Sequence, residues 1–319
     1  MTSSHKLILM SLFSLVIALS APWVGLSDIA DDILKQQILL DIRVPRVLFA
    51  FVAGAGLSLC GMVFQAMFHN PLATPFTLGV ASGASFGAAC TVFLGINVSL
   101  FGFDIITIGA FIGALVAITF VFFISQLQRG FSSETLLLTG VATSFFFSSL
   151  ILFIQYLSDM TDSFMIMRWL MGGLTSASYH SLLQLIPVVT VSTAIILWLS
   201  RELNLLMAGD DIALSRGVSV RQVRYLLFFS TSLCVGGIVA LSGPIGFIGM
   251  MVPHICRLII GTDHRWLTPA TIMFGGGFLI LCDGIARLLI APAEIPVGII
   301  TTLLGGPFFL WLLIKRRQG

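Results

Sequence analysis

The sequence predicts an all-α membrane protein that crosses the bilayer about ten times, and three observations carry that reading. Of its 319 residues 57% are hydrophobic and only 9% are charged, whereas soluble chains average roughly 45–50% apolar and about 25% charged residues. Mean hydropathy is +1.07. Apolar runs near the length a span requires, about 20 residues, recur between short polar breaks. Such a chain is excluded as a soluble enzyme. A net charge of only +2, with no basic block interleaved with aromatics, also excludes a nucleic-acid partner.

Taken in order, the first run covers 7–25, behind Lys6. It resembles a signal peptide, but the further runs make it a retained span. The others are 47–68, 76–96, 105–127, 135–157, 180–200, 225–242, 246–260, 268–290 and 296–314. Residues 163–175, with Arg168 and Gly172-Gly173, read as a short non-spanning element. The eighth run is short, and Pro244 and Pro253 argue against a regular helix there. The whole chain, 1–319, reads as one transmembrane domain, with 201–224 as a loop inside it.

Cations orient this arrangement, because cytoplasmic loops retain Lys and Arg. With the amino end inside, eleven of the 16 fall on the cytoplasmic side: Lys6, Arg129, Arg201, Arg216, Arg221, Arg224, Arg257, Arg265, Lys315, Arg316 and Arg317. Five fall outside: Lys35, Arg43, Arg46, Arg168 and Arg287. Both termini are therefore expected in the cytoplasm.

Glycine, at 31 residues, recurs every fourth position at Gly79, Gly83 and Gly87 and again at Gly109 and Gly113. That spacing bares the backbone on one helix face for close packing. The break Asn70-Pro71-Leu72-Ala73-Thr74-Pro75 frees backbone groups that protein or a water-filled cavity must satisfy. The five cysteines, Cys60, Cys90, Cys234, Cys256 and Cys282, stand singly in apolar runs and read as small hydrophobes.

Chemistry is sparse. No G-x-x-x-x-G-K-[ST] loop is present, so any ATP hydrolysis would belong to another chain, and H-E-x-x-H is absent too. No catalytic, metal or cofactor site is expected. His254, near a break, reads first as a structural residue. Asp283 and Arg287 share a helix face four residues apart, as a salt bridge or a functional pair. The loop from Arg201 to Arg224 mixes acids with bases around Ile212, Ala213, Leu214 and Val218, which suits a short amphipathic helix, a turn at Gly217 and a soluble docking partner. Arg43 and Arg46 flank Pro45 on the outer side, placed to snorkel toward lipid headgroups or to pair with carboxylates of a docking protein.

From Arg43 to Arg317 the chain resembles the FecCD-type permeases, the transmembrane subunits of ABC importers for ferric siderophores, haem and cobalamin. The resemblance rests on Arg43-Val44-Pro45-Arg46, Asn70-Pro71-Leu72-Ala73, Leu78-Gly79-Val80-Ala81-Ser82-Gly83-Ala84 and Gly243-Pro244-Ile245-Gly246-Phe247-Ile248-Gly249. It continues through Val252-Pro253-His254, Thr262-Asp263-His264-Arg265, Glu294-Ile295-Pro296-Val297-Gly298 and Leu304-Gly305-Gly306-Pro307-Phe308-Phe309.

The resemblance implies the ten-span fold of a type II ABC importer permease in a bacterial inner membrane. It also implies a second permease subunit, identical or a sister, two ATPases that use ATP and Mg, and a periplasmic binding protein. Arg43, Arg46 and Arg287 match the arginines that receive the binding protein's glutamates. The ATPase-coupling segment is matched by Gly209, Asp210, Asp211, Ala213, Arg216 and Gly217, with a shortened acid and an arginine two residues later than the family pattern. Phe131-Ser132-Ser133-Glu134 resembles the cytoplasmic gate. Thr74-Pro75-Phe76-Thr77-Leu78-Gly79 is closer to siderophore-type members, so a ferric siderophore is the expected cargo. Haem or cobalamin is the alternative within the family, and an ion-coupled carrier the alternative outside it.

Overall fold

The computed structural model describes residues 3–24, 32–96, 98–100, 102–127 and 133–316. In chain order it has α1 (Ser3–Ser20), α2 (Asp32–Gln37), a π-helical turn (Ile38–Arg43) and α3 (Val44–Met67). A 3-10 turn (Pro75–Leu78), α4 (Val80–Phe93) and a small hairpin of β1 (Ser99–Leu100) with β2 (Phe103–Asp104) follow. Next come α5 (Ile105–Leu127), α6 (Ser133–Leu157), α7 (Met160–Leu170), α8 (Tyr179–Trp198), α9 (Ser200–Ala208) and α10 (Asp210–Ser215). The chain closes with α11 (Val220–Ser242), α12 (Ile248–Ile260), α13 (His264–Leu288) and α14 (Val297–Arg316).

Among the described residues seven helices are long and apolar enough to cross a membrane, and α4, α12 and α14 are shorter apolar helices. Together they are the ten segments expected from hydropathy. The non-spanning segment is α7, capped by Asp159, whose side chain accepts from the Asp162 amide.

Side-chain contacts sort the helix ends into two faces. At one, the Arg287 guanidinium donates to the Ala21 carbonyl (3.2 Å) and the Tyr179 hydroxyl to the Leu40 carbonyl (2.9 Å). At the other, Lys6 Nζ donates to the Ile259 carbonyl (2.6 Å) and Asn204 bonds Asp263. We call these the arginine end and the loop end.

The centre is α3, buried on nearly every side, as a helix apolar all round should be. Helices α8, α11, α12 and α13 pack around it. Small residues set these approaches: a Cβ on Gly54 would lie 2.4 Å from the Gly275 carbonyl oxygen, and one on Gly61 would lie 1.8 Å from that of Gly249. The glycine repeat closes α4 on α5 in the same way, with a Gly87 Cβ falling 2.0 Å from the Gly109 oxygen. By contrast α6 turns Phe145, Phe146, Leu152 and Phe153 outward, a surface for lipid or another membrane subunit.

The breaks satisfy themselves. After α3 the Asn70 side chain accepts from the Leu72 amide, and Thr74 and Thr77 form a reciprocal cap. Contrary to the expectation for 246–260, α12 is helical through Pro253. Pro253 cannot donate to the Gly249 carbonyl one turn earlier. The Gln65 amide of α3 takes that carbonyl (3.3 Å) and the Met250 carbonyl (3.2 Å), while Gln65 Oε1 accepts from Arg257 (3.1 Å).

Candidate functional site

At the arginine end the structure brings Arg43, Arg46 and Arg287 together. Arg46 is 7% exposed and Asp283 1% exposed. Arg46 Nε and Nη2 reach Asp283 Oδ1 at 3.0 and 2.8 Å, and Nη1 reaches Glu294 Oε2 at 2.8 Å. Arg287 Nε stands 3.2 Å from Asp283 Oδ2, close enough for an ion pair though not aligned for a hydrogen bond. Arg43 is tied to the carbonyls of Pro22 (3.1 Å) and Val24 at the exit of α1. Asp283 and Arg287 do pair along α13, but the closer partner of Asp283 comes from α3.

Three guanidinium groups therefore face two carboxylates in a largely buried cluster. Such an arrangement is held by geometry and hydrogen bonding, because the desolvation of each ion offsets most of the Coulombic gain. The surplus is positive, which suits an acidic partner. The exposed edge of the cluster is Glu294, whose side chain is 39% exposed.

Glu294 also borders a cavity of about 590 Å³ at the same end. Its walls come from the end of α4, the start of α5, α7, the turn after α7, the end of α11 and the segment before α14. The floor is a junction of bare backbone. A Cβ on Gly172 would lie 2.2 Å from the Pro244 oxygen, on Gly243 2.5 Å from the Trp169 oxygen, and on Gly298 2.1 Å from the Met171 oxygen. Across it the Gly173 amide donates to the Ser242 carbonyl (2.8 Å) and the Gly298 amide to the Gly172 carbonyl (3.1 Å). This junction gives Gly243-Pro244 and Pro296-Val297-Gly298 their physical reason.

At the loop end, α9 is clamped on two sides. Asn204 Oδ1 accepts from the His264 backbone amide (3.0 Å), and the Asn204 amide donates to Asp263 (2.8 Å), while His69 of the turn after α3 meets the Leu206 carbonyl (2.8 Å). The Asp263 carboxyl is held below the usual carboxylate range by the Arg265 amide and then by Asn204. Beyond the clamp, Gly209 turns the chain with φ 124°, reachable at low strain only by glycine, and α10 begins.

In α10 Asp210 pairs with Arg224 (2.8 Å), and Ala213 is fully buried. Asp211, Ile212, Leu214 and Arg216 are exposed, and Gly217 (φ 81°) closes the turn. The result is a short helix fixed by one face that presents apolar and charged groups on the other. Ser132 lies outside the described residues. Ser133 and Glu134 begin α6, and their side chains are outside the described part as well.

Two features were hidden in the sequence: the Arg46 to Asp283 contact, and the role of Glu294 as a link between cluster and cavity. The second had a signal in the Glu294-Ile295-Pro296 motif; the first had none. His254 packs edge-on against Phe308, 6.1 Å between ring centroids, in keeping with a structural role. The run Gly83-Ala84-Ser85-Phe86-Gly87 has the spacing of a hydrolase nucleophile elbow. It lies inside α4 with Ser85 4% exposed, not at the strand-to-helix turn that motif requires. All five cysteines are free, and among the described residues no His, Cys, Asp and Glu cluster could hold a metal ion.

A polytopic helical bundle with a charged cluster at one end and a tethered, exposed short helix at the other defines a membrane permease that works with partners. The chain belongs to the FecCD transport family, whose model matches residues 7–315. It is 40% identical over 283 residues to the hemin transport system permease protein HmuU of Yersinia pestis, across 88% of this chain and 84% of that one. It is 37% identical over 298 residues to the molybdate import system permease protein MolB of Haemophilus influenzae, across 93% and 87%. A solved structure described as an inward-facing conformation of a putative metal-chelate type ABC transporter superposes with a TM-score of 0.89 at 34% identity, covering 98% of this chain and 99% of that one. The protein is thus an ABC importer permease, a transport subunit that acts with a partner permease and with ATPase subunits.

Proposed function

We propose that this permease carries a ferric siderophore across a bacterial inner membrane, with the loop end and both termini in the cytoplasm and the arginine end outside. The observation that carries the mechanism is α10. Its buried Ala213 and its Asp210 to Arg224 pair seat it on the bundle, while Ile212, Leu214 and Arg216 stay free for a partner. The chain has no nucleotide loop of its own, so force from ATP binding and hydrolysis enters through this helix. The clamp on α9 passes it to α3 and α13. Ser132, Ser133 and Glu134 form the cytoplasmic gate, and the path runs between this subunit and a second permease, identical or a sister.

Outside, a periplasmic binding protein delivers the chelate to Arg43, Arg46 and Arg287. Arg43, which donates to the Pro22 and Val24 carbonyls beyond α1, offers the guanidinium whose reversal tests this docking without breaking the Asp283 pair. Replacing it with Glu weakens docking about tenfold or more, the loss of one charge-assisted contact and its conversion to repulsion; unchanged affinity and uptake would contradict the assignment. Single cysteines at 211, 212, 214 and 216 crosslink to the ATPase during turnover, and no crosslink at any of them would remove α10 from the coupling role.

Haem or cobalamin is the second reading. Haem draws on the 40% identity to the Yersinia protein. The chelate retained by the partner binding protein decides between them.

A further inference from the structure

The cavity at the arginine end contains a guanidinium with no partner. Among the described residues the Arg168 side chain makes no hydrogen bond or ion pair, and it lines this space beside Trp169. Arg46 and Arg287, at the same end, are engaged with Asp283. Arg168 is exposed on the non-spanning α7, so its guanidinium is open to a ligand that enters this space. The glycine junction holds it in place: the Met171 amide donates to the Arg168 carbonyl and the Gly172 amide to that of Trp169, while Gly172 and Gly173 are bonded in turn to α14 and α11. Both side chains therefore project from a fixed support, as a binding site requires.

Resting on the permease reading above, we propose that Arg168 and Trp169 form a cargo contact at the mouth of the path, and that the cargo they accept is an anionic organic chelate with an extended apolar or aromatic face. Size agrees. Organic ligands occupy cavities of about 300–1,000 Å³, and this one measures about 590 Å³. The walls around Arg168 include Val92, Ile106, Met165 and Leu241, surfaces for a ligand's apolar face.

A compact oxoanion needs several convergent donors held in place; beside Arg168 the lining offers the hydroxyls of Thr175 and Ser176, both on an exposed turn rather than in a buried cradle. The Ser242 hydroxyl is already engaged with the Ile238 and Gly243 carbonyls (2.8 and 3.0 Å). Glu294, the one acid on the wall, has its charge compensated by Arg46 and so leaves a ligand carboxylate free to approach Arg168. The guanidinium takes a carboxylate or catecholate oxygen, and the indole ring takes the flat apolar face.

The test uses the full-length permease in lipid nanodiscs, with tryptophan fluorescence titrated by haemin, a ferric tris-catecholate complex and molybdate. At least one chelate quenches at micromolar concentration, Trp169→Phe removes part of that quenching, and molybdate has no effect. Arg168→Gln weakens chelate binding about tenfold, as loss of a hydrogen bond to a charged group would, and Arg168→Lys restores part of it. Because Arg168 is exposed and unpaired, these variants keep the wild-type melting temperature. Equal affinity in Arg168→Gln, quenching unchanged in Trp169→Phe, molybdate bound as tightly as the chelates, or no binding of either chelate would each overturn the proposal. No ATPase enters this titration, so its failure is separate from any failure of the permease reading, which uptake tests.

Discussion

Arg46 shows how much one residue decides in a chain with so few charges. It comes from α3, yet it holds Asp283 of α13 and Glu294 before α14 at once. Arg46→Gln leaves Asp283 buried with only the misaligned Arg287 beside it. Breaking a buried pair from one side costs about 3–5 kcal/mol, so this variant melts well below the wild type in detergent. Adding Asp283→Asn recovers part of the loss by removing the stranded charge; full stability in the single variant would contradict the cluster. The sequence displayed the Asp283 and Arg287 spacing on one helix face. It held no local signal for a partner 237 positions away, because only the packing of α3 against α13 creates that contact. For the same reason a docking experiment should reverse Arg43 rather than Arg46, since reversal at Arg46 would set a third acid against Asp283 and Glu294.

Among the elements, α12 is the most instructive. Pro244 and Pro253 argued for irregular backbone, and the local argument about the missing hydrogen bond was sound. What it lacked was Gln65, whose amide fills the vacancy from another helix. Gln65→Leu keeps the volume and removes the donor. It leaves the Gly249 carbonyl that Pro253 frees, and Arg257, short of a partner, at about 1–3 kcal/mol for each buried group left unsatisfied. The expected result is a lower melting temperature with faster hydrogen exchange in α12 relative to α4; exchange unchanged in α12 would show that the carbonyl has another partner. The glycine repeats were more legible, because a four-residue spacing specifies a face by itself. Gly87 and Gly109 meet across α4 and α5 as that spacing suggested. The junction of Gly172, Gly243 and Gly298 was not legible, since three distant segments supply one glycine each.

At the scale of the whole molecule, the ten segments followed from hydropathy alone, and the grouping of their ends is visible in contacts such as Arg287 to Ala21 and Lys6 to Ile259. Which end faces the cytoplasm is an inference from the positions of the cations. The two ends differ in design. One packs its charges into a braced cluster beside a cavity; the other places a short helix on a glycine pivot beyond a clamped α9. That division fits a subunit that receives cargo on one face and force on the other, and leaves the chemistry of ATP to a partner.

The measurement that bears most directly on this account is uptake into proteoliposomes containing the permease, its ATPase and its binding protein. Uptake of the chelate retained by the binding protein should stop when ATP is withheld and continue when an uncoupler collapses the ion gradients. Uptake that persists without ATP and fails with the uncoupler would contradict the account and identify an ion-coupled carrier instead.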